Sequence, residues 1–285
     1  SIKSIGLLNP VLLRPVDSTY IVLSGFNRAY AHIKTNSKKI SAVILDDNIS
    51  ELDGIKIAVT CVSFYRKLQQ HEMIRCLTAL SDHLNPQEIS DCSVQIFNMP
   101  LNKRYISDMV AVGRLSESFG RLIRQGQLSI KAAKIIAREN PSETDALAAF
   151  FSMINASTSV QLEMLLNLKE ICKRDAVDLN ALLADSELKK IMNNDTPDFS
   201  LKTRLAREWI FKKRFPSIFK ARQENQDVIN SIKTGKTLRI NYSDTFEDPN
   251  ITISFSANSI QQFRQLAEQL SEISRKHEFE RLFRL

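Results

Sequence analysis

The chain has 285 residues, of which 43% are hydrophobic and 25% charged, and a formal net charge of +7 at pH 7. This composition is ordinary for a globular protein, and the length is enough for two or three small domains. We expect no membrane span, because the sequence has no long apolar run and no signal or transit pattern. Since it opens on Ser1, inside what reads as a domain, we expect the natural protein to begin upstream.

Residues 1–61 read as a small α/β domain. The β-branched stretches Asn9–Val16 and Thr19–Ser24 predict two strands, Arg28–Asn36 a helix, and Lys38–Asp47 a third strand. A strand that passes through a glycine into a helix is a common place for a phosphate, because the free amides of the first turn and the helix dipole favour an anion.

From Val62 to about Lys213 the pattern is helical, and it is divided here into a domain over 62–140 and a connecting region over 141–235. Seven glycines and eight prolines in the whole chain favour this helical interpretation. The predicted breaks fall at Asn85–Pro86, Met99–Pro100, Gly126, Asn140–Pro141 and Thr196–Pro197. The four cysteines have no CxxC spacing, so we expect reduced packing residues and no metal site.

A helix-turn-helix is predicted from a helix over Pro86–Phe97, a break at 98–102, and a second helix with Asn102 as its N-cap. In this motif the start of the second helix enters the major groove, and Ile106, Val110 and Leu115 would anchor it from behind. The candidate DNA-contacting residues at this helix are Asn102, Lys103, Arg104, Tyr105 and Ser107. A solvated bundle with basic faces is the alternative, since helix-break-helix patterns are common.

Positive charge is concentrated from Lys103 to Arg138, where eight Lys and Arg face only Asp108 and Glu117, a surplus of +6. We expect four of these cations to bind phosphates. They are Arg114, Arg121, Arg124 and Lys131. A second basic stretch, Leu201–Arg222, has eight cations and one acid. There we favour an amphipathic connecting helix with its aromatic residues in the core, ended or kinked by Pro216, over phosphate binding by Lys212, Lys213 and Arg214.

The last segment, 236–285, predicts a β-hairpin followed by a long helix. Thr237–Asp244 and Ile251–Ala257 alternate apolar with polar residues, and Ser259 would open the helix with Gln262 as its capping-box partner. One apolar stripe is expected on this helix. It comprises Ile260, Phe263, Leu266, Leu270 and Ile273. This small ββα element must pack on the helical body or on a second copy of itself.

Two stretches of the sequence resemble the ParB/RepB-type partition-protein family. The first is "SIKSIGLLNPVLLRPV" with "YIVLSGFNRAYAHI", and the second is "NKRYISDMVAVGRLSESFGRLIRQGQLSIKAAKII". The resemblance covers residues 1 to about 140, and the tail is similar in outline to the family's dimerising element. It implies an α+β, mostly helical fold: a ParB-like N-terminal domain, a helix-turn-helix domain and a C-terminal hairpin plus helix.

This resemblance also implies a function in chromosome or plasmid partition or related DNA regulation. The implied partners are double-stranded DNA, a partition ATPase and a second copy of the chain, and the implied location is cytoplasmic and nucleoid-associated. CTP with Mg²⁺ is the implied cofactor. The implied nucleotide-binding residues are Gly25, Phe26, Asn27, Arg28 and Arg66. The family has an acidic residue and an arginine where this chain has Phe26 and Asn27, and it has a Glu-Asn pair that is missing before Arg66, so we expect binding without hydrolysis.

Related folds offer rival chemistry. Sulfiredoxins need a cysteine at the position of Phe26, which excludes that activity here. A nucleotide-dependent kinase or NTPase, with the helical part as scaffold, would need a general base. Glu72 is the one carboxylate so placed, and capping or pairing with Arg66 is its other interpretation. Asp46 and Asp47 are interpreted as strand-end solubilisers rather than nuclease metal ligands. A DNA-binding regulator without any nucleotide is a third interpretation.

Overall fold

A computed structural model describes residues 7, 9–35, 38–139, 141–194, 198–232, 238–242 and 251–280. Within them the protein is mostly helical, with one three-stranded and one two-stranded sheet, which confirms the predicted α+β class. The chain divides into two compact units, Ser1–Leu162 and Glu163–Leu285, so the division falls inside the predicted connecting region. The predicted break at Thr196–Pro197 and the hairpin loop at 245–250 lie outside the described residues.

The first unit begins with a small sheet of order β2-β1-β3. Strands β1 (Val11–Val16) and β2 (Thr19–Ser24) pair antiparallel, as predicted, around a turn in which Asp17 has φ 49°. Strand β3 (Ala42–Ile44) runs parallel to β1. It has three residues rather than the predicted ten, because it pairs only with the first half of β1.

The helices of this unit follow in chain order. They are α1 (Phe26–Lys34), α2 (Glu51–Ser63), α3 (Gln70–Ser81), α4 (Pro86–Asp91), α5 (Ser93–Phe97), α6 (Lys103–Gly113), α7 (Glu117–Arg124), α8 (Ile130–Ile136) and α9 (Pro141–Ser152), and α10 (Thr158–Asp175) crosses into the second unit. Helix α2 was not predicted from the sequence; Ser50 caps it by accepting a hydrogen bond from the amide of Asp53. The single helix predicted over Pro86–Phe97 is wrong: it is two helices that meet at Cys92.

The second unit contains short and long helices followed by a hairpin and two more helices. They are α11 (Leu179–Leu183), α12 (Ser186–Met192), α13 (Phe199–Arg214), α14 (Pro216–Ile232), β4 (Leu238–Tyr242), β5 (Ile251–Phe255), α15 (Ile260–Ser274) and α16 (His277–Glu280). The predicted hairpin is confirmed by antiparallel pairing from Leu238 opposite Phe255 to Tyr242 opposite Ile251. As predicted, α13 ends just before Pro216, which opens a new helix.

The hairpin packs on the end of α14, one of the two predicted possibilities. Val228 of α14, Leu238 of β4 and Ile273 of α15 are buried in one apolar cluster with Phe279. The predicted stripe on α15 holds only in part, because Leu266 and Ile273 are buried while Ile260 and Phe263 are exposed. Ser259 caps α15 as predicted. The Gln262 side chain, however, accepts a hydrogen bond from the amide of Asn258 rather than from that of Ser259.

No helix in the described ranges is both long and apolar enough to cross a membrane. Across the same ranges, no group of three or more His, Cys, Asp and Glu side chains is arranged to take a metal ion. The four cysteines are free thiols, and each is partly rather than fully buried.

Candidate nucleic-acid interface

The turn that leads into α6 is fixed by two serine hydroxyls. Ser93, 1% exposed, accepts a hydrogen bond from the Leu101 amide at 3.0 Å and donates to the Ser90 carbonyl at 2.7 Å. Ser90 in turn donates to the Leu101 carbonyl at 2.7 Å. Through these bonds both serine side chains face the segment that connects α5 to α6. Such side-chain bonds to the backbone compete with helix formation, which is consistent with the helix break at Cys92. We call this arrangement of Ser90 and Ser93 the serine clip. It was not predicted from the sequence, because two serines three residues apart are not a specific motif.

Helix α6 begins and packs as the sequence predicted. The Asn102 side chain accepts a hydrogen bond from the Tyr105 amide at 2.8 Å, which confirms it as the N-cap. Ile106 and Val110 are buried, as are Met109 and Val112. Leu115, the third predicted anchor, is only half-buried and lies beyond the end of the helix. The buried face therefore fixes which side of α6 points to solvent.

That solvent side carries a basic stripe. At about 100° per residue, Lys103, Arg104, Ser107 and Arg114 lie within a sector of roughly 100° of the helix surface. We call these four residues the α6 polar face. All four are exposed, and no described residue forms an ion pair with the three cations. Ser107 and Arg114 also line one cavity of about 440 Å³, beside Asn85 at the start of α4.

The charges at the start of α6 oppose the helix dipole. The first turn has no acidic residue, and Lys103 and Arg104 occupy its first two positions. The N-terminus of a helix is positive, so cations there are disfavoured and anions are favoured. A bound anion, such as a phosphate, would relieve this repulsion.

Beside the polar face, Asp108 forms the centre of a charged cluster. Its carboxylate lies 3.0 Å from Nζ of Lys134 and 3.4 Å from a guanidinium nitrogen of Arg138, both from α8 or just after it. The hydrogen bond from Lys134, supported by Arg138, holds the pKa of Asp108 below its usual range. Nζ of Lys134 also lies 5.8 Å from the centre of the Tyr105 ring. Tyr105 is half-buried, and this burial raises the pKa of its hydroxyl.

The remaining predicted phosphate contacts do not join the α6 polar face in one cavity. Arg124 forms an ion pair with Glu117 that lowers the pKa of Glu117, and it lines a cavity of about 410 Å³ with His71. Arg121 is exposed and lines another cavity, of about 660 Å³, toward α9. Lys131 is exposed near the start of α8. Of the eight cations counted from the sequence, three are therefore paired with the two acids of that stretch.

At the predicted nucleotide site, Gly25 adopts φ 89° and α1 begins directly after it. Nη1 of Arg28 donates to the carbonyls of Asn9 and Pro10, the latter at 2.8 Å. A Cβ on Gly25 would lie 3.0 Å from this guanidinium. Phe26, 71% exposed, and the exposed Asn27 complete the helix start. Arg28 thus ties the segment before β1 to α1, and a phosphate would have to replace those carbonyls.

Arg66, the other predicted nucleotide-binding residue, faces Glu72, the candidate general base. Two guanidinium nitrogens of Arg66 donate to the two carboxylate oxygens of Glu72 at 2.7 and 2.6 Å. Glu72 also accepts from the Gln69 amide at 2.8 Å and so caps α3. The hydrogen bond from Arg66, with that amide, lowers the pKa of Glu72 to about 2. Both capping and pairing, which the sequence offered as alternatives to catalysis, are present.

In the second basic stretch, the residues pack and form ion pairs within the second unit. Trp209 and Ile210 of α13 are buried, as the favoured interpretation of an amphipathic connecting helix expected, whereas Phe211 and Phe215 are only half-buried. The three cations of the alternative interpretation, phosphate binding, each form an ion pair with an acidic residue. Lys212 pairs with Glu187, Lys213 with Asp185 and Arg214 with Glu170, at 2.9, 3.0 and 3.5 Å. The α6 polar face is therefore the stronger candidate for binding a polyanion.

Comparisons of the chain with models of protein families and with curated proteins found no match.

Proposed function

We propose that this chain binds double-stranded DNA by inserting α6 into the major groove. The observation that carries the proposal is the α6 polar face: three cations that form no ion pair with any described residue, and a hydroxyl, on one exposed sector of a helix whose opposite side is buried. Arginine and lysine recognise guanine edges and phosphates, and serine contacts either a base or a phosphate. Asn102 is engaged as N-cap, so its contribution is to fix the start of α6.

The double substitution Lys103→Ala with Arg104→Ala tests this assignment. Each lost phosphate contact lowers the slope of log affinity against log salt by about 0.9, so the double variant should weaken binding and flatten the slope by up to roughly 1.8. The control is Lys212→Ala with Lys220→Ala, which removes the same charge from ion-paired positions in the second basic stretch. Binding is measured by fluorescence anisotropy on duplex DNA. Unchanged binding of the first variant at moderate salt would refute the groove assignment.

We further propose, on the ParB resemblance, that DNA binding serves chromosome or plasmid partition or related DNA regulation in the nucleoid. A homodimer formed through the C-terminal ββα element would then read symmetric half-sites, and a partition ATPase would be its partner. CTP with Mg²⁺ would bind at the start of α1, with Arg28 exchanging the carbonyls of Asn9 and Pro10 for a phosphate. Arg28→Ala should then weaken CTP binding measured by calorimetry.

The surroundings of Glu72 weigh against the alternative of a nucleotide-dependent enzyme. An efficient general base has a pKa near the working pH, whereas that of Glu72 is about 2 and its carboxylate already binds Arg66 and the Gln69 amide. CTP or ATP turnover that is abolished by both Arg28→Ala and Glu72→Ala would restore the enzyme hypothesis.

A further inference from the structure

The chain carries a negative charge at the edge of its most basic surface. Asp108 lies one helical turn after Arg104 on α6, and its side chain is 20% exposed. From α8 and the residues after it, Lys134 and Arg138 turn back toward this one carboxylate. From α6 itself, the Tyr105 ring flanks the Lys134 ammonium. Two cations that stand beside the α6 polar face are thus both paired with a single acid.

We propose that Asp108 is a specificity-determining residue, which limits sequence-independent DNA binding by withholding Lys134 and Arg138 from phosphates. This inference rests on the proposed function. Non-specific affinity comes almost entirely from cations that displace counterions along the DNA backbone. Asp108 reduces that contribution in two ways: it occupies two cations, and it adds a negative charge beside the duplex. Base contacts from the α6 polar face are left to decide which sequence is bound.

Asp108 differs in this respect from Glu117, the other acid of the stretch. Glu117 pairs with Arg124, which lines a cavity with His71 and Arg75, apart from the cavity shared by Ser107 and Arg114. Glu117→Gln therefore makes the same change in net charge as Asp108→Asn at a different place. The two substitutions separate an effect of position from an effect of total charge.

The test compares Asp108→Asn, Glu117→Gln and the unsubstituted chain on a short mixed-sequence duplex over a range of salt concentrations. Asp108→Asn should bind more tightly, with a salt slope steeper by up to about 1.8 for two released cations. Glu117→Gln should stay close to the unsubstituted chain. Adding Lys134→Gln and Arg138→Gln to Asp108→Asn should remove the gain, since these are the cations that the carboxylate releases.

A further variant keeps the inference testable if Asp108→Asn fails to fold. Lys134→Gln with Arg138→Gln in the otherwise unchanged chain should leave the slope of log affinity against log salt as it was, because both cations are already withheld from phosphates; the affinity itself falls, because the Asp108 carboxylate loses its partners beside the duplex. A slope flatter by about 0.9 or more in that variant would overturn the inference, as would equal binding by Asp108→Asn and Glu117→Gln. Absence of any duplex binding by the unsubstituted chain would instead refute the proposed function itself.

Discussion

Gly113, the last residue of α6, lets this helix approach α3 more closely than a side chain would permit. A Cβ built on Gly113 would lie 1.9 Å from Oγ1 of Thr78 and 3.0 Å from Cγ2 of Ile74. The Thr78 hydroxyl cannot turn away freely, because it donates to the Ile74 carbonyl at 2.8 Å. Gly113→Ala must therefore either break that hydrogen bond or push the two helices apart.

The expected cost follows from these contacts. Overpacking a core costs about 1–3 kcal/mol, and a lost hydrogen bond roughly 1 kcal/mol. Alanine recovers about 1 kcal/mol through its higher helix propensity. We therefore expect Gly113→Ala to lower the free energy of unfolding by about 2 kcal/mol. For a unit of 150–250 residues this corresponds to a melting temperature lower by roughly 4–8 °C.

Gly120→Ala is the matched control in thermal and urea denaturation. Gly120 lies within α7, and the nearest atoms to its built Cβ are 3.5 Å or more away, so the same substitution should stabilise by about 0.5–1 kcal/mol. Adding Thr78→Ala to Gly113→Ala should recover part of the loss by removing the clashing hydroxyl. If Gly113→Ala proves as stable as Gly120→Ala, the close approach of α3 and α6 is refuted.

Two other predictions concern the turn before α6 and the acid side of the stability curve. Ser93→Ala should lower the free energy of unfolding by about 1–3 kcal/mol, because it leaves the buried Leu101 amide without its acceptor. Urea unfolding measures this change, and a difference near zero would contradict the serine clip. The pKa of Glu72 is lowered to about 2 in the folded chain, so its contribution to stability is complete above its usual value near 4.5 and declines as the pH falls toward 2. Glu72→Gln should therefore lower the free energy of unfolding at neutral pH, and this free energy should then fall less steeply as the pH drops below about 4.5. Parallel stability–pH curves for the two proteins would rule this out.

Local signals predicted much of the fold. β-Branched stretches predicted β1 and β2, and alternation of apolar with polar residues predicted the hairpin. Asn102, followed by the pattern of Ile106 and Val110, predicted the start and the buried side of α6. Helix α2 was missed because Gly54 and its β-branched neighbours have low helix propensity. Tertiary packing stabilises this helix in spite of its low propensity. A Cβ on Gly54 would lie 3.1 Å from the Arg14 side chain, so the helix crosses close to the sheet.

The candidate site shows where sequence reasoning stops. The count of cations from Lys103 to Arg138 could be read directly, but not which of them are paired. Asp108 meets Lys134 from 26 positions away in the chain, and this contact depends on how α6 and α8 pack. The same holds for Arg28, whose guanidinium reaches carbonyls 18 and 19 residues earlier. Such contacts are tertiary, and no local pattern records them.

Sequence reading by α6 is tested most directly by capturing fragmented genomic DNA with the purified protein and sequencing it, with and without CTP and Mg²⁺. We predict enrichment of a short inverted repeat that is lost in the Lys103→Ala, Arg104→Ala variant, with CTP-dependent spreading around the repeat if the start of α1 binds the nucleotide. Uniform or absent enrichment in both conditions would contradict DNA recognition by α6.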